Sequence, residues 1–322
     1  MHAKSALQNP MKYVQTLFVM AGAYWGLLFQ WIIDTLPIAI VQWIDLATLL
    51  PSWALRLVAG EFAAAGVHNC QRPTKTIILY EFEWCPYCKK VREALSTLDL
   101  DYVCYPCPRT TFKARNVTEG SRYCPVAQTA GGKAQFPLLI DDNTGTKMYE
   151  SAAIVQYLWD TYGKDAQKPL TYKIASSPYY EMPSLMISGI FRPLWYMGML
   201  KAPSTLPEKH LELWGMEPSP FVKRVREVLS SLELPYLMHT TPVGSSKREI
   251  FKKLYGDKLP QLRKSAGLIK VPFLYDPNTG KEMFESLEIV KYLMETYKSG
   301  PAPTETLFDY VNFLKAGDKK AE

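Results

Sequence analysis

Short apolar, β-branched runs alternate with stretches of helical spacing along the middle of the chain. Thr76-Ile77-Ile78-Leu79-Tyr80 is such a run and predicts a buried strand. From Pro86 onward, Val91, Ala94, Leu95 and Leu98 fall on one face of a 3.6-residue period and predict an amphipathic helix. Asp101–Tyr105 reads as a second strand and Pro137–Ile140 as a third. Asp142-Asn143-Thr144-Gly145 turns the third into a fourth around Lys147-Met148-Tyr149, and a last helix starts after Ser151. The predicted order is β-α-β-(helix)-β-β-α, a mixed sheet with helices on both faces.

The same pattern then recurs. Lys89-Lys90-Val91-Arg92-Glu93-Ala94-Leu95-Ser96 is answered by Lys223-Arg224-Val225-Arg226-Glu227-Val228-Leu229-Ser230. Phe136-Pro137-Leu138-Leu139-Ile140-Asp141 is answered by Val271-Pro272-Phe273-Leu274-Tyr275-Asp276, and Met148-Tyr149-Glu150-Ser151 by Met283-Phe284-Glu285-Ser286. A match this long with its spacing kept is duplication. The expected fold is α/β, two tandem thioredoxin-like domains over residues 74–163 and 209–299.

Three segments lie outside the repeats. Residues 1–73 form an apolar N-terminal segment expected to be helical, with no charged side chain from Tyr13 to Ile33. That stretch reaches the roughly 20 residues a membrane span needs. It also fits a cleavable leader ending near Ala21-Gly22-Ala23, or amphipathic helices packed on the domains or on a membrane surface. Residues 164–208 form a connector, apolar from Met182 to Leu200, and 300–322 a tail.

Composition narrows the partners. The chain is 48% hydrophobic and 21% charged, with a net charge of +6 spread among acids, so no basic stripe marks a nucleic-acid face. Cysteine usage is lopsided. Cys70, Cys85, Cys88, Cys104, Cys107 and Cys124 all lie in the first half, which suits reactive thiols in a reducing compartment better than a disulfide framework.

The candidate chemistry centres on Cys85-Pro86-Tyr87-Cys88, for which the second copy has Ser219-Pro220-Phe221-Val222. Cys85 is expected at a helix N-cap with Pro86 in the first turn. There, backbone N–H groups and the helix dipole favour a thiolate. Lys89 and Lys90 are expected to support that charge, Glu81 and Glu83 to oppose it. Cys88, one turn on, is placed to close a disulfide. Cys104-Tyr105-Pro106-Cys107 is a second Cys-x-x-Cys, and strand topology could bring it near Cys85. Its spacing suits a four-cysteine zinc site or an auxiliary dithiol that Cys124 could join. The helix directly after Cys88 argues against zinc, and no metal is expected. Ser219 is readable as a plain helix cap or as a hydroxyl poised on a thiolate.

Cys85-Pro86-Tyr87-Cys88 resembles the motif of dithiol glutaredoxins. Phe136–Asp141 with Tyr149–Ile154 resembles the N-terminal domain of glutathione transferases. Tyr105-Pro106-Cys107-Pro108, Gly131-Gly132-Lys133 and Asp276-Pro277-Asn278-Thr279-Gly280 make residues 74–299 similar to tandem glutathione S-transferase N-terminal-domain proteins of photosynthetic eukaryotes and some bacteria. The resemblance implies cis peptides before Pro137 and Pro272, with the Phe136 or Val271 backbone exposed to a peptide-like ligand. It also implies that Glu150-Ser151, and more weakly Glu285-Ser286, hold the γ-glutamyl end of glutathione. No all-helical domain follows either copy. The expected function is a glutathione-linked thiol–disulfide oxidoreductase with Cys85 and Cys88 catalytic, acting on disulfide or glutathionylated proteins. Copy two (Ser219, Val271, Pro272, Glu285, Ser286) is expected to be a degenerate site for glutathione or a protein. The alternatives are a transferase using Ser219 and a non-enzymatic membrane-associated scaffold. The expected location is the cytoplasm or a plastid, with membrane contact through the N-terminal segment.

Overall fold

Each copy builds the sheet order its pattern implies, and the two sheets then join edge to edge. The computed structural model describes residues 47–48, 50–51, 53–108, 121–190, 201–258 and 269–300. In the first copy β1 (Ile77–Glu81) leads into α1 (Pro86–Thr97), β2 (Tyr102–Pro106), α2 (Cys124–Gly131), β3 (Leu138–Asp141), β4 (Thr146–Met148) and α3 (Ser151–Tyr162). The connector adds α4 (Leu170–Ala175) and α5 (Glu181–Ile190). The second copy has β5 (Leu211–Gly215), α6 (Pro220–Ser231), β6 (Tyr236–Thr240), α7 (Lys247–Tyr255), β7 (Phe273–Asp276), β8 (Lys281–Phe284) and α8 (Ser286–Tyr297).

β1 runs parallel to β2 and antiparallel to β3, and β5 repeats this with β6 and β7. The sequence does not announce the join. β2 pairs antiparallel with β6 in the register Tyr102↔Met238, Val103↔Leu237 and Cys104↔Tyr236, giving one eight-stranded sheet in the order β4-β3-β1-β2-β6-β5-β7-β8. Each copy thereby covers the strand edge the other would leave open to foreign pairing.

The helix face read from the sequence is the buried one: Val91, Ala94, Leu95 and Leu98 are fully enclosed, as are Val225, Leu229 and Leu232 in and just after α6. Both β-hairpins use the same device. Asp141 accepts hydrogen bonds from the Tyr157 and Tyr162 hydroxyls at 2.7 and 2.6 Å and from Asn143, and Asp276 does the same with Tyr292, Tyr297 and Asn278. These donors hold both carboxyls below the usual carboxylate range although burial pushes the other way.

The connector forms α4 and α5, and α5 packs on α1. Arg56 fixes that arrangement. Its buried guanidinium makes a bidentate pair with Glu93 of α1 (2.9 and 2.7 Å) and donates to the Ala175 carbonyl (2.9 Å) and to Ser184 Oγ of α5 (2.5 Å). The segment just before copy one also clasps copy two, through Ala63 N–H to the Val243 carbonyl (2.9 Å) and Val243 N–H to the Glu61 carbonyl (2.6 Å). The apolar stretch 13–33, residues 191–200 of the connector and the tail beyond Gly300 lie outside the described residues. Among the described residues, no helix is long and apolar enough to cross a membrane.

Candidate functional site

Cys85 is the N-cap of α1 in extended backbone (φ −66°, ψ 119°), with Pro86 in the first turn. Its Sγ accepts the Cys88 backbone N–H at 3.3 Å. A sulfur that accepts a helix N-terminal donor is held where negative charge is favoured. Cys88 is fully enclosed, and its side chain is hydrogen-bonded to Cys85. Burial first, then that hydrogen bond and the nearby Cys85 and Glu81 charges, push the Cys88 thiol well up, so it is protonated at neutral pH. The pair is therefore asymmetric.

Ser219 reproduces the geometry atom for atom. It caps α6 at φ −58°, ψ 118°, and its Oγ accepts the Val222 N–H at 3.4 Å. Phe136–Pro137 and Val271–Pro272 are both cis, as the resemblance implies.

The charges around the motif correct the sequence reading. Glu83 does not stand open beside the sulfur as an opposing charge. Glu83 is buried and bonded to Arg226 Nε at 2.9 Å and Lys223 Nζ at 3.1 Å, both from copy two. Its counterpart Glu217 receives Arg92 Nε at 3.0 Å and Lys89 Nζ at 3.2 Å from copy one. Burial alone would raise both carboxyls, but the two arginines and a lysine hold them below the usual carboxylate range. Glu81 pairs with Arg92, yet burial raises it net. Lys89 is spent on Glu217 and Lys90 on Glu181 at 2.6 Å, so neither lysine is a dedicated thiolate partner. The network is reciprocal down to its small groups. Ser96 Oγ accepts the Glu217 N–H at 3.3 Å, and Ser230 Oγ accepts the Glu83 N–H at 3.4 Å. Copy two thus grips the residues leading into Cys85.

Beside the motif lies a cavity of about 510 Å³ lined by Tyr87, Lys90, Gln135, Phe136, Pro137, Glu150 and Ser151, with Glu181 and Met182 of α5 forming one wall. The four residues expected to hold glutathione therefore share one space. Sequence reasoning missed the α5 wall, because nothing in a connector's composition says which helix it covers. Ser151 is not itself the helix cap. That position belongs to Glu150, at φ 66°, and in copy two to Glu285, also at φ 66°. A non-glycine residue kept in the left-handed region in both copies is unusual and marks a constrained corner.

The second copy's corner is built differently. Arg224, the counterpart of Lys90, donates Nη1 to Ser286 Oγ at 2.6 Å, and Lys270 pairs with Glu285. Its cavity, about 370 Å³, reaches Ser219 and Val271 but not Glu285, Ser286 or Pro272. Leu50, Trp53, Met216, Phe221, Val243 and Ile269 make its walls largely apolar.

The remaining cysteines separate. Cys104 Sγ lies 3.4 Å from Glu81 Oε1, whereas Cys107 donates to the Tyr105 carbonyl at 3.5 Å and shares a buried cluster with Cys124. The sequence spacing suggests that Cys104 and Cys107 act together beside Cys85. Alternation along β2 prevents it. Among the described residues, no three metal-binding side chains converge.

Two thioredoxin-like units joined at a shared strand edge, each with a cis-proline loop and a capped helix at the same end of its sheet, define a tandem thioredoxin-fold protein. The family described as Glutathione S-transferase, N-terminal domain matches residues 79–169 and again 213–302, more than half of the chain, and the protein belongs to that family. Glutathione S-transferase U8 of Arabidopsis thaliana is 36% identical over 93 residues, which are 29% of this chain and 36% of that protein. Among solved structures, the Bombyx mori glutathione transferase BmGSTD1 is 26% identical, over 30% of this chain and 39% of that one, with a TM-score of 0.24. The chain matches less than half the length of either relative.

Proposed function

We propose that the protein is a glutathione-linked thiol–disulfide oxidoreductase whose working site is copy one. The observation that carries this reading is the asymmetric pair at the start of α1, a capping Cys85 sulfur and an enclosed, protonated Cys88, beside a cavity lined by Phe136-Pro137 and Glu150-Ser151. Cys85 thiolate attacks the glutathione sulfur of a mixed disulfide, and the substrate thiolate leaves. Cys88 then attacks the Cys85 sulfur and expels the bound glutathione as its thiolate, or a second glutathione attacks the sulfur of the bound glutathione and expels the Cys85 thiolate. Glutathione disulfide or the Cys85–Cys88 disulfide carries away the oxidising equivalents. Copy two keeps the fold and the cis-proline loop but has no thiol, and in this reading it braces copy one. The test is reduction of a glutathione mixed disulfide in a coupled assay. Cys85→Ser is expected to abolish it, while Cys88→Ser retains a monothiol route. Equal rates for wild type and Cys85→Ser would overturn the reading.

A second reading has its own observation. The apolar cavity at Ser219 is a place for an electrophile that the sequence did not provide. It ranks below the first because Arg224 covers Ser286, where a glutathione carboxylate would bind. Conjugation to an aromatic halide that collapses in Ser219→Ala would reverse the order.

A further inference from the structure

We propose that Cys107 and Cys124 are a second redox couple, converted to a disulfide by a hydroperoxide. The two cysteines come from different elements. Cys107 follows β2, where its backbone N–H is held by the Glu81 carbonyl at 2.6 Å, and Cys124 opens α2. Both are enclosed in one small cluster with Tyr80, Ala127, Leu138 and Ile140, where the Cys107 thiol donates to the Tyr105 carbonyl at 3.5 Å. The fold does not require sulfur here. In copy two the equivalent position is Thr241, whose N–H bonds the Gly215 carbonyl at 2.7 Å in the same way. A neutral threonine satisfies the backbone, so the thiol in copy one is surplus to packing.

Burial first, and then the neighbouring Cys124, push the Cys107 thiol well up. Cys124 is lowered, chiefly by the neighbouring Cys107 thiol, with Ser121 and Lys201 adding to it and burial and Glu233 opposing. Cys124 is thus the nucleophile and Cys107 the resolving thiol. The Cys124 thiolate attacks the terminal oxygen of the hydroperoxide, the O–O bond breaks, and the alkoxide leaves and takes a proton from water. The Cys107 thiol then displaces hydroxide from the resulting sulfenic acid, closing the disulfide with release of water. Two thiols and one hydroperoxide give one disulfide, one alcohol and one water, and a thiol reductant such as glutathione reverses the change. The bond would tie the end of β2 to the start of α2. There Ser121 Oγ and the Arg122 N–H, both 2.8 Å from Glu233, dock copy one on copy two.

The experiment uses the full chain, as wild type and with Cys85→Ser and Cys88→Ser combined, so that the motif cannot exchange with the new bond. Each is treated with an equimolar amount of hydrogen peroxide, blocked and digested with trypsin without reduction. Arg109, Lys113, Arg115 and Arg122 separate the two cysteines, and because Cys104 shares the Cys107 peptide, fragmentation of the joined pair assigns the bond to Cys107 or Cys104. The expected result is that joined pair, with two thiols lost and both regained on adding glutathione. Cys107→Ser should leave a Cys124 sulfenic acid that dimedone traps. No joined pair in folded wild type, a pair formed only after unfolding in urea, or Cys124 joined to Cys104 or Cys70 would each overturn the proposal.

Discussion

The two copies share a backbone and differ in what fills the corner beside the first helix. In copy one, Lys90 turns to Glu181 of α5, and Ser151 lines a cavity that mixes Glu150, Gln135 and Lys90 with Phe136, Pro137 and Met182. In copy two, Arg224 lies on Ser286, its guanidinium 5.8 Å from the Phe221 ring centre, and the cavity shifts toward apolar walls from the N-terminal segment. A second contrast lies directly under the motif. Where copy one has Glu81 and Cys88, copy two has Gly215 and Val222, and a β-carbon on Gly215 would come within 2.6 Å of Val222 Cγ2. Loss of the thiol and loss of the glutamate are therefore one packing change. Duplication preserved the scaffold, while the polar site was replaced as a unit.

The sharpest way to break this comparison is to move one atom in each copy. Cys85→Ser should take mixed-disulfide reduction to background, and Ser219→Ala should leave it within about twofold, since a cap hydroxyl contributes roughly 1 kcal/mol to stability and nothing to thiol exchange. An equal loss in both variants would mean that the copies work as one site.

The buried network is next in size. Arg226→Met leaves Glu83 and Glu217 short of a partner in a dry interface and should cost about 3–5 kcal/mol in urea unfolding. Arg92→Met should cost at least as much, because Arg92 also serves Glu81. A loss below about 1 kcal/mol in both would show that the interface holds by strand pairing alone.

Gly215→Ala should destabilise by about 1–3 kcal/mol through the clash with Val222, and Val222→Cys, the residue copy one uses, should recover most of it. Equal stability of Gly215→Ala and wild type would refute the packing link.

The smallest effect is a slope. Glu83 and Glu217 have folded pKa values below their unfolded ones, so their stabilisation is full above the ordinary carboxylate pKa and fades as pH falls through the folded values. Stability should therefore decline below about pH 4. The decline should be shallower in a Glu83→Gln, Glu217→Gln double variant, measured against its own neutral-pH stability. Identical acid slopes would place the acid sensitivity elsewhere.

The strands, the helix faces, the hairpin turns and the duplication were legible because they rest on local period and turn chemistry. Cys85 and Ser219 as caps followed from the residue type before Pro86 and Pro220. The α5 wall, Arg56, and the fate of Glu81, Glu83, Lys89 and Lys90 were not legible. Each depends on a partner distant in the chain or in the other copy, and charges adjacent in sequence read as a local field when they are in fact paired across an interface. The cysteines teach the same lesson. Cys104 and Cys107 look like a motif, yet Cys107 meets Cys124 and Cys104 meets Glu81.

By itself, the sequence determined two thioredoxin-like units, a dithiol in one and its absence from the other, because hydrophobic period, proline and turn residues act over a few positions. Tertiary structure alone decided that β2 and β6 join the units into one sheet. It also decided that copy two pairs Glu83 beside the dithiol, and that the two cavities diverge. Those outcomes follow from which buried edge and which buried charge find a partner, and burial is a property of the assembled chain.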